Sequence, residues 1–349
     1  LREVHEFKPS KMMLTTLVMA AILVSALALE PQCAQQATTV ENWHLDFLDK
    51  SEQDRTNMDG IYKYSTTGGE GITVYAVGTG IQLDNPDFEG RAVYGESLCD
   101  VDPNSVGNCT HGLDFIGHGT AAAGIIMGKT YGVARKANVV SVKTHTDLGH
   151  GTKDAFAAGL HWAHQDAKSK NLLPGKAILL VSWAVKTNHT DLVSVIEDAT
   201  ADGMIVICSA GERGGDSCDL WASNNPGCIS VGAIDMNGER SNASSYGSCI
   251  NTFAPGGYPA IVSNGLDNGT YDWYPGAQDA AAVVAGAVAV YLSDNKCGGH
   301  TQDDVKAWLQ SSVHLHGKMQ DPGVGSPNII LQLPCPFEEN CETADFGVK

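Results

Sequence analysis

Basic residues are scarce in this chain. Lysine and arginine number 22 against 40 aspartates and glutamates in 349 residues, for a formal charge of −18. No run of Lys or Arg interrupts that balance, and aromatics make up only 7%. Nucleic acid and anionic membrane surfaces both require a basic patch, so neither is an expected partner. No C-x-x-C pair occurs, which argues against zinc ribbons and thioredoxin-like redox centres. The motifs H-E-x-x-H, G-x-S-x-G and G-x-x-x-x-G-K-[ST] are also missing, and with them the simplest signatures of zinc peptidases, α/β-hydrolases and P-loop enzymes. No internal repeat or low-complexity tract is present.

What is present begins with a compartment signal. Lys11 precedes an uncharged run, Met12 to Leu29, that ends before Glu30, with Cys33-Ala34-Gln35 shortly after. This reads as a secretory signal peptide, with Met12 or Met13 as the expected start. A membrane anchor is the alternative, because the run is near spanning length. Ten cysteines (33, 99, 109, 208, 218, 228, 249, 297, 335 and 341) fit an oxidising compartment, and cleavage after Cys33 would leave one unpaired. Sequons at Asn108, Asn188, Asn242 and Asn268 are usable glycan acceptors in a secreted chain.

Downstream, short apolar runs alternate with helical stretches. Strands are expected at Ile72–Val77, Asn138–Val142, Ala177–Trp183, Met204–Cys208 and Ile229–Ile234. Helices are expected at Gly119–Met127, Lys153–Ala167, Leu192–Ala201, 277–293 and Gln302–Leu309. The strands are continuous Val/Ile/Leu runs without strict alternation, as in a parallel sheet covered on both faces. The expected organisation is a leader over 1–36, one three-layer α/β domain over 37–313, and a loop-rich, cysteine-pinned extension over 314–349. Residues 37–70 read as polar and mixed, with Trp43, Leu45 and Phe47 as scattered anchors.

In parallel α/β sheets, sites form at the carboxyl ends of strands and the N-termini of following helices. Four segments fall at such ends: Gly78-Thr79-Gly80, Gly117-His118-Gly119-Thr120, Ser209-Ala210-Gly211-Glu212 and Gly276-Ala277-Gln278-Asp279. The last opens a nearly all-apolar helix, which must be buried. His118 is the best general-base candidate, since flanking glycines keep bulk from its ring; a structural histidine at a helix start is the plainer reading. Asp279 reads first as a helix-dipole partner and only second as a nucleophile. Glu212 reads as a loop carboxylate that could pair with His118, and Asp84 and Asp87 as turn-formers.

These segments, together with Val74-Tyr75-Ala76-Val77, Tyr131-Gly132-Val133-Ala134 and Phe253-Ala254-Pro255-Gly256, resemble the subtilisin-like serine proteases (peptidase S8) in order and spacing over roughly residues 40–312. The proteinase K-like secreted branch is the nearest match. The resemblance implies a three-layer fold with a mostly parallel central sheet, and it assigns four catalytic positions. Gly78 stands where the family has the Asp that orients the histidine. His118 is the retained base. Glu212 replaces the oxyanion-hole Asn, and Gln278 replaces the nucleophilic Ser.

The chemistry of those losses compounds. An amide at Gln278 cannot attack a carbonyl, because its lone pair is delocalised. An imidazole without its Asp loses typically ~10⁴ in turnover, and an oxyanion donor is worth about 10²–10³. Glu212 places negative charge where negative charge would develop. The expectation is a secreted pseudoprotease that binds a protein, a peptide or a protease inhibitor. The alternative is a weakly active endopeptidase or other hydrolase working through His118.

The substrate-groove segment of the family maps to Ser182-Trp183-Ala184-Val185, where Ala184 and Val185 are expected to crowd the primary pocket. No cofactor is expected, and a family calcium site is in doubt because Asn251 replaces its Asp. The family's prosegment between leader and domain is not expected here.

Overall fold

The computed structural model describes residues 33–39, 42–50, 58–186, 190–257, 276–294, 300–311 and 314–335. Strand β1 (Cys33–Ala37) pairs antiparallel with β2 (Ile61–Ser65), and the short helix α1 (Trp43–Leu48) lies between them in sequence. Beyond this ribbon come β3 (Thr73–Gly78), β4 (Ala92–Ser97), helix α2 (His118–Met127), β5 (Asn138–Lys143), α3 (Lys153–Ser169), β6 (Ala177–Val181), α4 (Thr190–Ala201), β7 (Ile205–Ser209), β8 (Ile229–Ile234) and β9 (Thr252–Pro255). The last elements are α5 (Ala277–Asp294), α6 (Gln302–Leu309), β10 (Leu315–His316) and β11 (Ile329–Ile330).

Among the described residues, nine strands form one sheet in the order β10-β11-β9-β8-β7-β6-β3-β5-β4. Every neighbouring pair is parallel except β10–β11. The two-residue period of a strand divides the core. Val74 and Ala76 of β3 face a cluster shared with α2, α5 and α6, while Tyr75 and Val77 face the other side, where Phe156 of α3 and Leu192 of α4 pack. Both faces are therefore apolar, which explains why these strands read as continuous hydrophobic runs. This is the three-layer, mostly parallel α/β architecture that the sequence implies.

Helix starts are set by side-chain caps. The Thr152 hydroxyl accepts the Ala155 N–H at the head of α3, and Thr301 with Asp304 forms a reciprocal capping box on α6. Helix α5 is buried almost throughout, from Ala277 to Leu292, against β7, β8 and β9. Its N-terminus opens at the carboxyl edge of the sheet, beside the ends of β3 and β7.

The structure departs from the sequence reading at both ends of the domain. The expected boundary at 36/37 falls inside β1. Cys33 bonds to Cys335, beside bridges Cys99–Cys109, Cys208–Cys228 and Cys218–Cys249. Trp43, Leu45 and Phe47 are buried as the expected anchors, together with Leu48, on the short helix α1. The 314–349 extension supplies β10 and β11 to the main sheet, where Ile330 pairs with Phe253. Those strands have two residues each, too short to show a period. The apolar run 12–29, Asn188, Asn268, Cys297 and Cys341 lie outside the described residues.

Candidate active site

The site is built where α2 and α5 begin. Gly117 caps α2 in the left-handed region (φ 92°), which suits glycine. The buried Asp114 carboxylate accepts the N–H groups of Ile116 (3.0 Å), Gly117 (2.8 Å) and Thr120 (2.9 Å), and the Thr120 hydroxyl (2.7 Å). Four donors on one carboxylate fix the first turn and hence the buried His118 ring. The Gly119 N–H donates to the Thr79 hydroxyl (2.9 Å), and a Cβ on Gly119 would collide with the Gly80 carbonyl, so helix and strand end meet backbone to backbone. Buried Lys143 ties the same corner down. Its Nζ donates to the Thr79 and Leu113 carbonyls (2.9 and 2.7 Å) and pairs with Asp147 (3.1 Å).

Gly78 ends β3 directly beside the imidazole. A Cβ built there has His118 Nδ1, at 4.0 Å, as its nearest neighbour. A side chain at position 78 would therefore address the ring nitrogen that an orienting carboxylate must reach. In its place is a cavity of about 10 Å³, lined by Gly78, His118, Ala122, Leu180 and Ser182 among others, with room for about one water. Burial lowers the His118 pKa below its ordinary value, opposed by the Asp114 charge and by a hydrogen bond with the Gln278 side chain.

On the facing helix, Gln278 makes a second link. Its backbone N–H donates to Glu212 Oε1 and its side-chain Nε2 to Glu212 Oε2, each at 3.1 Å. A Cβ on Gly276 would run into the same carboxylate, so this approach depends on glycine. Glu212 is thus not the solvated loop acid that the sequence suggests. It reaches from the end of β7 to cap α5, satisfying one of the amides that every helix start leaves over. Burial raises its pKa, while the hydrogen bond from Gln278 works in the opposite direction. Asp279, expected first as a helix-dipole partner, stands in the first turn of α5 but is buried with Oδ2 lacking a hydrogen-bond partner, and burial, reinforced by the Glu212 charge, raises its pKa well above the ordinary value. That shift favours the neutral acid, a poor nucleophile.

The groove segment is partly committed to its own fold. Ser182 lines the Gly78 cavity. Trp183 packs edge-on against Phe156 (centroids 4.9 Å apart) and His145 (6.0 Å). The Val185 N–H and carbonyl both pair with Trp221 (2.7 and 2.9 Å), so neither is available to a peptide. Ala184 and Leu220 close in on Gly211. Asn251 accepts the Ser230 N–H (2.8 Å) with its side-chain oxygen. No group of three or more His, Cys, Asp or Glu able to hold a metal occurs among the described residues. Asp87, read as a turn-former, is buried and accepts from Thr130 (N–H, 3.0 Å; hydroxyl, 2.6 Å).

Two residues of the site escaped the sequence reading. Asp114 was legible in principle as an Asx-type acid just ahead of a Gly-flanked histidine. His145 had no local signal. Its N–H donates to the Gly78 carbonyl (3.1 Å), and burial together with the neighbouring His118 ring pushes its pKa down to about 4.

Comparison with known proteins bears on the family and the fold. The model of the Subtilase family matches residues 69–327. A subtilisin-like protease of Coccidioides posadasii (strain C735) is 33% identical over 282 residues, covering 80% of this chain and 65% of that protein. Subtilisin-like protease 2 of Pseudogymnoascus destructans is 33% identical over 269 residues, covering 77% and 62%. The chain therefore spans just under two thirds of the length of these relatives. A crystal structure of a cold adapted subtilisin-like serine proteinase superposes with a TM-score of 0.74 at 30% identity, covering 85% of this chain and 99% of that one.

Proposed function

This chain belongs to the subtilase family, and we propose that within it the protein is a secreted pseudoprotease, without peptidase activity, that acts by binding a protein, a peptide or a protease inhibitor. The observation that carries this reading is the closed link His118–Gln278–Glu212. A carboxamide takes the nucleophile's position, and the protein's own carboxylate holds the amide that would face a developing oxyanion. A substrate carbonyl entering there meets negative charge and no attacking hydroxyl, and Gly78 brings no carboxylate to the base. The intact packing around these positions, with Gly119 and Gly276 each in close approach to a neighbouring element, supports loss of chemistry with retention of the fold. Within the family we place the protein in the proteinase K-like secreted branch, on its motif pattern.

Secretion rests on the apolar N-terminal run and on four disulfides among the described residues, which persist in oxidising compartments. No helix among the described residues is long and apolar enough to cross a membrane.

A second reading has its own support. The relatives are named as proteases, and His118 is in place, so family likeness by itself favours a serine-type endopeptidase or another hydrolase working through His118. One assay separates the two. Purified chain is tested against casein and peptide esters and exposed to a serine-reactive fluorophosphonate probe. The pseudoprotease reading expects neither turnover nor labelling, and either one establishes the hydrolase. Titration calorimetry against a subtilisin inhibitor then tests binding, and absence of heat rejects the inhibitor-decoy form.

A further inference from the structure

Of ten exposed large apolar side chains among the described residues, seven lie between Val93 and Leu148. They gather on one surface. Val93 and Tyr94 lie on β4, the edge strand of the main sheet. The Tyr94 ring covers Gly112, and Leu148 packs over Gly107. Phe115 is 51% exposed, Val106 58% and Leu148 63%. The surface is a rigid platform. Cys99–Cys109 closes the loop that carries Val101 and Val106, and the Thr110 N–H and hydroxyl are held by Asp147, which pairs with Lys143 below the Phe115 ring. Exposed apolar side chains grouped in this way on a secreted protein are either covered or an association hazard.

In the middle of this surface stands the Asn108 sequon, Asn108-Cys109-Thr110. The Asn108 carbonyl accepts the Asp147 N–H (2.8 Å), and the residue is exposed beside Val106 and next to the residue that precedes Leu148 in the chain. We propose that Asn108 is an N-glycosylation site whose first sugars lie on the Val106–Phe115–Leu148 platform and cover it. The charge pattern favours a carbohydrate over a second copy of the chain. Residues 92–128 contain no Lys or Arg but include Glu96, Asp100 and Asp102, so two such faces repel. A neutral glycan offers C–H faces to the apolar side chains and hydroxyls to the acidic rim, and it solubilises the surface. Asn242, the other described sequon, is exposed with no large exposed apolar side chain near it in sequence, and it serves as the control.

This inference rests on the secreted reading but not on catalytic silence. The test expresses the full chain in a eukaryotic secretory host and maps glycopeptides by mass spectrometry. Binding of a hydrophobic fluorescent dye is then compared for the wild type, Asn108→Gln, Asn242→Gln, and folded wild type deglycosylated enzymatically under native conditions. The expected result is an occupied Asn108, with dye fluorescence up about twofold or more when that glycan is missing by either route, and unchanged in Asn242→Gln. Native deglycosylation guards against Asn108→Gln failing to fold. A glycan at Asn242 with Asn108 bare overturns the proposal alone, as does an occupied Asn108 whose removal leaves dye binding unchanged. No glycan at either sequon, with the chain retained in the cell, overturns the secreted reading as well.

Discussion

Helices α2 and α5 begin within hydrogen-bonding reach of each other, and each start is satisfied by a carboxylate, yet the consequences are opposite. At α2 the acid is local. Asp114 lies four residues before His118 and binds the first turn from behind, which leaves the imidazole facing the site. At α5 the acid is remote. Glu212 arrives from the end of β7, 66 positions away in sequence, and approaches from the side a substrate would use. Both arrangements relieve the unmet N–H groups of a helix start. On the pseudoprotease reading, only the first is compatible with a reaction there, and a helix start stays satisfied without a catalytic group when the replacement meets the same amides.

The largest effect that tests this contrast is restoration of chemistry. Gly78→Asp, Glu212→Asn and Gln278→Ser together should give peptide-ester turnover at least about 10³-fold above the wild-type background, with fluorophosphonate labelling at position 278. Position 78 has space for the side chain, since His118 Nδ1 is the nearest atom to a built Cβ. Leaving Glu212 in place should forfeit about 10²-fold of that gain, and an equally active double variant would show that the carboxylate is not what closes the site.

Next in size is the local cap. Asp114→Ala strips four hydrogen bonds from buried donors and should lower unfolding free energy by about 3 kcal/mol in urea titrations. Glu212→Ala removes a single helix cap and should cost only about 1 kcal/mol. If the remote cap proves the costlier, the division of labour drawn here is reversed.

The smallest signal is a slope. Asp279 has its pKa raised in the fold, so above the ordinary carboxylate range the folded state holds a proton that the unfolded chain has released. Stability must then fall as pH rises through that window and level off above the folded pKa. Asp279→Asn removes this dependence. Its stability relative to wild type should grow between pH 5 and pH 8, measured as urea midpoints, and a flat difference would mean that Asp279 is ionised in the fold. Depressed His118 contributes with the opposite sign, losing stability as pH falls below the usual imidazole value.

How much of this was legible follows the same division between local and remote. The strands β3, β5, β6, β7 and β8 and the five long helices carry their own apolar runs and caps, so Thr73–Gly78, Lys153–Ser169 and Ala277–Asp294 could be read nearly to their ends. His118 stands out because its flanking glycines are local. Glu212 and Asp279 were identifiable as positions but not as states. Nothing near Glu212 in sequence reveals that Gln278 will offer it two donors, and nothing near Asp279 reveals that its partner-poor oxygen is sealed in the core. The ribbon β1–β2, the strands β4 and β9 and the edge pair β10–β11 were missed for a related reason: they exist through pairing with distant segments, and their own residues are too few or too polar to announce a strand.

The bridge between Cys33 and Cys335 puts a clock on assembly. These cysteines are 302 positions apart, so a growing chain carries the first of them unpaired through nearly the whole synthesis of the domain. The N-terminal ribbon can be fastened covalently only after the segment that completes the sheet edge beside β9 has been made. A product that stops short of residue 335 has a free Cys33, which makes that thiol a chemical mark of an unfinished molecule.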